Sequence, residues 1–320
     1  MWIRIFKSRY AGGEAGRCAS ARAAFRHYTG GSVATPGRLG MFLLFAVLLM
    51  VVSCKPDPEP AAPVYLSEVF EYVYGPGQHA SLAQPLDTQY LTGNPEHHDG
   101  WLYLGGYGGY VVAGFPREIK NEEGPDFEVI AMKGAAPEPA VVFVMTDANG
   151  NGRPDDSWYE LKGSLTDETL RNYTVTYFKP AASTENIRWE DSEGGSGELK
   201  SFFGAAHSAG WWWPHSTSGT VTFTGSRLPA IYENNPANGG DFWSVPASRV
   251  QWGYAENNQG TDYDASSGSN WLDISNAVDA AGNPVQLASI RFLKIQSAVF
   301  QQAGQTNEVS PEIRGARSKY

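Results

Sequence analysis

The stretch Ala140–Leu161, "AVVFVMTDANGNGRPDDSWYEL", decides how the rest of the chain reads. A short β-branched run, Ala140–Thr146, enters it, and an aromatic run, Ser157–Gly163, leaves it. Between them stands Asp147–Asp156, "DANGNGRPDD". Asn and Gly tolerate positive φ, so "NGNG" is turn chemistry joining two strands.

The same grammar recurs on both sides. Val64–Tyr74 alternates as a first strand, and Gly75–Asp99 reads as loop. Trp101–Phe115, "WLYLGGYGGYVVAGF", reads as two strands or a bent one, its glycine pairs marking a bulge or a close backbone approach. Asp126–Met132 and Tyr173–Lys179 continue the pattern. Asp191–Lys200 is polar and Gly-rich, hence a loop, whereas Gly219–Gly225, Val250–Ala255 and Ser289–Phe300 read as strands. Trp271–Ala280 holds a short helical turn. Long helical periodicity is nearly absent, and short strands separated by Gly, Asn, Asp and Pro predict an all-β fold. The expectation is one jelly-roll-like β-sandwich domain over residues 64–320. No internal repeat and no heptad run is present. "GGYGG" (105–109) does not open a helix, so it is not read as a phosphate loop.

Ahead of the domain, Met41–Val52 is a run of 12 apolar residues, suited to a signal-peptide core and short for a membrane span. "VVSC" resembles a bacterial lipobox, with Cys54 as the lipidated residue and 54–63 as a Pro-rich tether. Residues 1–53 are set aside from the fold as extension and signal. They hold seven Lys and Arg and one acid, which leaves 17 basic and 33 acidic residues, a net charge of −16, from Cys54 onward. Such a surface repels phosphate backbones, so nucleic acid is not an expected partner. The second cysteine, Cys18, lies before Cys54, so the domain has no disulfide, and its loops need another staple.

Ca²⁺ is a candidate staple, because it takes six to eight hard oxygen ligands. Asp147, Asn149 and Asn151 fall at loop positions 1, 3 and 5, Gly152 at 6, the Arg153 carbonyl at 7 and Asp155 at 9, with Asp156 beside it. Position 12 is Trp158 rather than the bidentate Glu of an EF-hand, and no helices flank the loop. A structural calcium loop of the kind seen in β-rich extracellular proteins and a plain solvated turn both remain open.

Aromatic residues carry the ligand expectation. Neighbours in a strand point to opposite faces, so Trp211-Trp212-Trp213-Pro214-His215 cannot bury all three indoles on one side. Trp211, Trp212, Trp213 and His215, with Tyr107 and Tyr110, are the candidate binding residues; Trp101, Tyr103, Tyr232, Trp243, Trp252, Tyr254 and Trp271 are others. His97-His98-Asp99 has no HxH or HExxH partner pattern. No GxSxG elbow and no nucleophilic cysteine is found, and nothing singles out a glycosidase pair from Glu128, Glu138, Glu160, Glu190 and Asp191.

"GWLYLGGYGGYVVAGF" (100–115), "GPDFEVIAMKGAAPEPAVVFVMTDANGNGRPDDSWYELKGS" (124–164), "YTVTYFKP" (173–180) and "IRFLKIQSAV" (290–299) resemble a family of Bacteroidetes cell-surface lipoproteins. The resemblance runs from about Tyr72 to the C-terminus. It implies an outer-membrane, surface-exposed protein working beside TonB-dependent receptors and surface propeller lipoproteins of nutrient uptake, some of them for cobalamin. The expected function is non-catalytic binding of a cobalamin-type molecule or a glycan. An adhesive surface protein and a glycan-active hydrolase are the alternatives.

Overall fold

Period-2 runs become strands here wherever alternate side chains reach a shared core. The computed structural model describes residues 62–77, 85–134, 136–182, 185–200, 213, 218–234, 243–303 and 308–320. The chain divides into Met1–Glu59 and Pro60–Tyr320, and every described residue belongs to the second unit. The segment expected to be a signal, residues 1–53, and Cys54, Trp211, Trp212 and His215 lie outside the described residues.

The strands in chain order are β1 (Glu68–Val73), β2 (Leu102–Tyr103), β3 (Tyr110–Lys120), β4 (Phe127–Ala131), β5 (Ala140–Met145), β6 (Tyr159–Leu161), β7 (Leu170–Phe178), β8 (Ile187–Asp191) and β9 (Ser196–Leu199). They continue with β10 (Thr220–Arg227), β11 (Glu233–Asn234), β12 (Trp243–Ser244), β13 (Tyr263–Asp264), β14 (Ser269–Leu272), β15 (Ala277–Val278), β16 (Ser289–Ser297) and β17 (Glu312–Ser318). One sheet has the order β1-β3-β16-β5-β6-β15 and a second β13-β14-β4-β17-β2, all pairings antiparallel. The chain alternates between these sheets from β1 to β5, the connectivity of a jelly roll.

Val111, Ala113 and Phe115 of β3, with Val142 and Val144 of β5, meet Phe127 and Val129 of β4 and Ile313 of β17 in one buried core. The fold is therefore an all-β sandwich. Strand β5 is apolar on both faces, as suits a strand covered on both sides: Val142 and Val144 face that core, while Val141 packs into a second cluster with Tyr232, Val250 and Tyr254.

Two expectations change. Asp191–Lys200 is not a loop: β8 and β9 form a hairpin there. Asp191 Oδ1 accepts from the N–H groups of Glu193 and Gly195, and Gly194 takes φ 80°, so the Gly-rich start of the segment is a tight turn between β8 and the edge strand β9. Val250–Ala255 is not a strand. Gly253 turns at φ 92°, and only Ala255 keeps a bridge, to Ala140. Trp271–Ala280 does hold the expected short helical turn, a 3₁₀ turn at Ile274–Asn276, set between the end of β14 and β15. The sandwich also carries a further sheet, β10-β7-β8-β9, with an aromatic core of its own.

Candidate functional site

The Asp147 loop joins β5 to β6. Gly150 and Gly152 turn it at φ 71° and 73°. Asn149 Oδ1 accepts from Asn151 N–H at 2.9 Å, and Asn151 Oδ1 from Arg153 N–H at 2.7 Å. Both side-chain amides donate to Asp155, at 2.8 Å from Asn149 and 2.9 Å from Asn151. Those bonds hold the Asp155 carboxyl below its ordinary range. Asp156 Oδ2 accepts from Ala148 N–H at 3.0 Å. Asp147 turns inward: its Oδ2 accepts from Gly152 N–H at 3.1 Å and from Arg291 Nη1 at 2.6 Å.

These bonds hold Asp147, Asn149, Asn151, Asp155 and Asp156 in one turn. Arg153 contributes to the turn through its N–H. The donor set suits a hard cation, and Asp147 Oδ1 is buried with no hydrogen-bond partner among the described residues. Asp147 Oδ2, Asp156 Oδ2 and the side-chain oxygens of Asn149, Asn151 and Asp155 already accept from backbone N–H groups, side-chain amides and one guanidinium. Among the described residues no group of three or more Asp, Glu, His or Cys is arranged to hold a metal.

The aromatic candidates separate. Tyr107 is 3% exposed, its ring 5.5 Å from Tyr173 and 5.3 Å from Phe300. Trp213 is 1% exposed in the same cluster. Neither displays a face to solvent, because the sheet of β7 to β10 covers the "GGYGG" segment: a Cβ on Gly108 would lie 2.4 Å from Phe223. Tyr107 lines a cleft with Pro76, Gly106, Tyr177 and Phe300, but the space is about 30 Å³, about one water's share of liquid. Burial raises the Tyr107 phenol above its ordinary range. Tyr110 is half-buried on β3; its hydroxyl donates to Glu71 at 2.6 Å, and Lys294 Nζ lies 4.5 Å from the ring centre.

The candidate carboxylates are structural in their bonding. Glu128 accepts from Ser269 and Arg317, Glu160 accepts from Ser226 beside Arg171, and Asp191 accepts from Tyr173 at 2.7 Å.

Two groupings escaped sequence reasoning, because each joins residues far apart in the chain. The first is acidic. Glu138 accepts from Ser310 N–H at 2.6 Å, Glu256 accepts from Glu312 N–H, and Glu308 stands nearby on the approach to β17. Glu256 is fully buried at φ 49°. Burial, then their mutual repulsion, raises Glu138 and Glu256 well above the carboxylate range. Burial and Glu308 push Glu312 up to about 8. The second is a cleft of about 200 Å³ whose walls include the partly buried Trp252 and Trp271. Both were among the aromatic candidates of the sequence, but nothing in it paired them.

No family model matches the sequence, and no curated protein matches it.

Proposed function

We propose that this chain is a lipid-anchored protein of the outer-membrane surface that captures an extracellular nutrient without transforming it. The ligand class is a glycan or a cobalamin-type molecule, handed to a TonB-dependent receptor or a surface propeller lipoprotein. One observation carries the reading. Of the seven tryptophans among the described residues, six (Trp101, Trp158, Trp189, Trp243, Trp252 and Trp271) are partly buried, and only Trp213 is fully buried. A single partly open indole is ordinary. Trp189 and Trp243 pack against apolar clusters, but Trp252 and Trp271 share the wall of one cleft, which puts two partly open indoles at a single site. The lipobox-like "VVSC" and the resemblance to Bacteroidetes lipoproteins support the address.

Calcium at the Asp147 loop belongs to the same reading. Asp147 Oδ1 and Asp155 would supply its anionic oxygens, and the ion would order the turn between β5 and β6.

A thermal-shift screen with cobalamin, cobinamide and an oligosaccharide panel tests the binding role. A concentration-dependent rise in Tm with a member of either class is expected; no shift with any of them removes the reading. Cys54→Ala is expected to lose lipid labelling and membrane fractionation. An unchanged membrane fraction would remove the anchor.

A further inference from the structure

Trp271 leaves β14 on the face opposite Leu272, which is buried in the sandwich core. Trp252 comes from the turn before Ala255. Asp262 ties the two segments together. Its Oδ2 accepts from Gly253 N–H at 2.7 Å, its Oδ1 from Asn270 Nδ2 at 3.0 Å, and its carbonyl from Trp271 N–H at 2.9 Å. The Trp252 carbonyl accepts from Ser164 N–H at 3.0 Å, and a Cβ on Gly253 would lie 2.4 Å from Gly163. The backbone under both indoles is therefore fixed before any ligand arrives. Asp273, Asn276 and Lys162 complete the polar part of the wall. Asp273 Oδ1 accepts from Ser275 N–H at 2.7 Å, and Oδ2 has no partner among the described residues.

We propose that the Trp252–Trp271 cleft binds one pyranose ring of an extracellular saccharide. The inference rests on the binding role proposed above and names its site and ligand class. Indole faces stack on the C–H faces of a sugar ring, while carboxylate, amide and ammonium groups take its hydroxyls. Two carboxylates at the wall disfavour phosphate- or carboxylate-bearing ligands and suit a neutral polyol. At about 200 Å³, the cleft falls below the ~300–1,000 Å³ of sites that enclose a drug-sized molecule. It has room for a single ring with the rest of the chain outside, and it cannot enclose a corrinoid. Asp262 acts as a positioning residue: both its carboxylate oxygens already hold the walls. Because those walls are locked, little ordering cost opposes binding.

The test is a fluorescence titration of the full chain in detergent with neutral oligosaccharides, using hits from a glycan array. Trp252→Ala, Trp271→Ala and Trp271→Phe are compared with Leu170→Ala. Leu170 is an exposed apolar residue on β7, in a different sheet from β13 and β14. Each Ala variant in the cleft is expected to weaken binding about tenfold or more, Trp271→Phe less, and Leu170→Ala not at all. Unchanged melting temperatures confirm that the variants fold, and Trp271→Phe keeps the test open where Trp271→Ala does not. If the wild type binds a saccharide and the cleft variants bind it equally, the site is overturned while the binding role stands. If the wild type binds no saccharide, the inference falls. The binding role then survives only on a thermal shift with cobalamin or cobinamide.

Discussion

The guanidinium of Arg291 lies 2.6 Å from Asp147 Oδ2, and this contact ties the middle of the first sheet to the loop that leaves it. Arg291 stands on β16, whose neighbour Phe292 pairs with Met145, two residues before Asp147. The Asp147 side chain is 4% exposed and that of Arg291 30%. Arg291→Met leaves a nearly buried carboxylate without its cation. The expected loss is about 2–3 kcal/mol by urea denaturation, less than the ~3–5 kcal/mol of a fully buried pair, because the arginine is partly in water. Millimolar calcium is expected to restore part of that loss by placing a cation beside Asp147. No recovery, together with no effect of EGTA on the wild type, would sink the calcium proposal.

The strand content was legible because β3 and β5 carry apolar runs, and in β16 charged residues interrupt an apolar pattern that reports which residues face the core. The hairpin of β8 and β9 was not legible. β9 is the edge strand of its sheet, and "SGEL" carries one apolar residue, so Glu198 and its neighbours show no hydrophobic period. β17 was missed for another reason: "EIRGARS" mixes charge and glycine, and Glu312 is buried beside other glutamates that no local pattern announces. The Asp147 loop was legible because its parts are contiguous. Tyr107 misled, because a tyrosine among four glycines looks open until the sheet of β7 to β10 covers it. The Trp252–Trp271 cleft depends on Asp262 reaching Gly253 and Asn270, which is a tertiary fact.

Gly109 offers a direct check on the "GGYGG" packing. A Cβ there would lie 1.8 Å from the Leu104 carbonyl oxygen and 2.3 Å from Gly75 N. Both obstacles are backbone and cannot swing aside. Gly109→Ala is expected to cost about 3 kcal/mol or more, at the upper end of overpacking effects, and to give mostly insoluble protein. Gly150, at φ 71°, has nothing within 4 Å of its Cβ position. Gly150→Asn is expected to cost about 1 kcal/mol or less, since Asn tolerates the left-handed region. Similar losses in both variants would show that the close approach at Gly109 is absent.

The Tyr107 hydroxyl is buried with no hydrogen-bond partner among the described residues. A buried hydroxyl left unmatched costs about 1–3 kcal/mol of desolvation. Tyr107→Phe keeps the ring contacts with Tyr173 and Phe300 and removes that cost. The urea midpoint is expected to rise, by the equivalent of about 1 kcal/mol. A fall in the midpoint would mean that the hydroxyl has an acceptor, and the small cleft beside it would then be a hydrated site.

The glutamates beside β17 predict an unusual pH profile. Glu256 and Glu312 carry raised folded-state pKa values, Glu312 near 8, against an ordinary value of 4.5. Glu138, Glu308 and Tyr232 face them, and the charges raising Glu138 and Glu256 are those of neighbouring glutamates. In the folded state the cluster keeps protons that the unfolded chain releases above pH 4.5. The folded state therefore binds more protons, and stability falls as pH rises through this window. The stability is fully present below about pH 4.5 and is lost as pH passes about 8. Carboxylates with lowered values, such as Asp155, Asp264 and Asp279, act in the opposite sense but only below 3.8, so they leave the window undisturbed. Tm is expected to be about 4–8 °C higher at pH 5 than at pH 8.5, the equivalent of roughly 2 kcal/mol for a domain of this size. Glu312→Gln, neutral at every pH, is expected to flatten that difference by removing one titration and its repulsion on Glu256. A wild-type Tm that rises between pH 5 and 8.5, or a slope unchanged in Glu312→Gln, would show that the cluster is balanced by a cation rather than by protons.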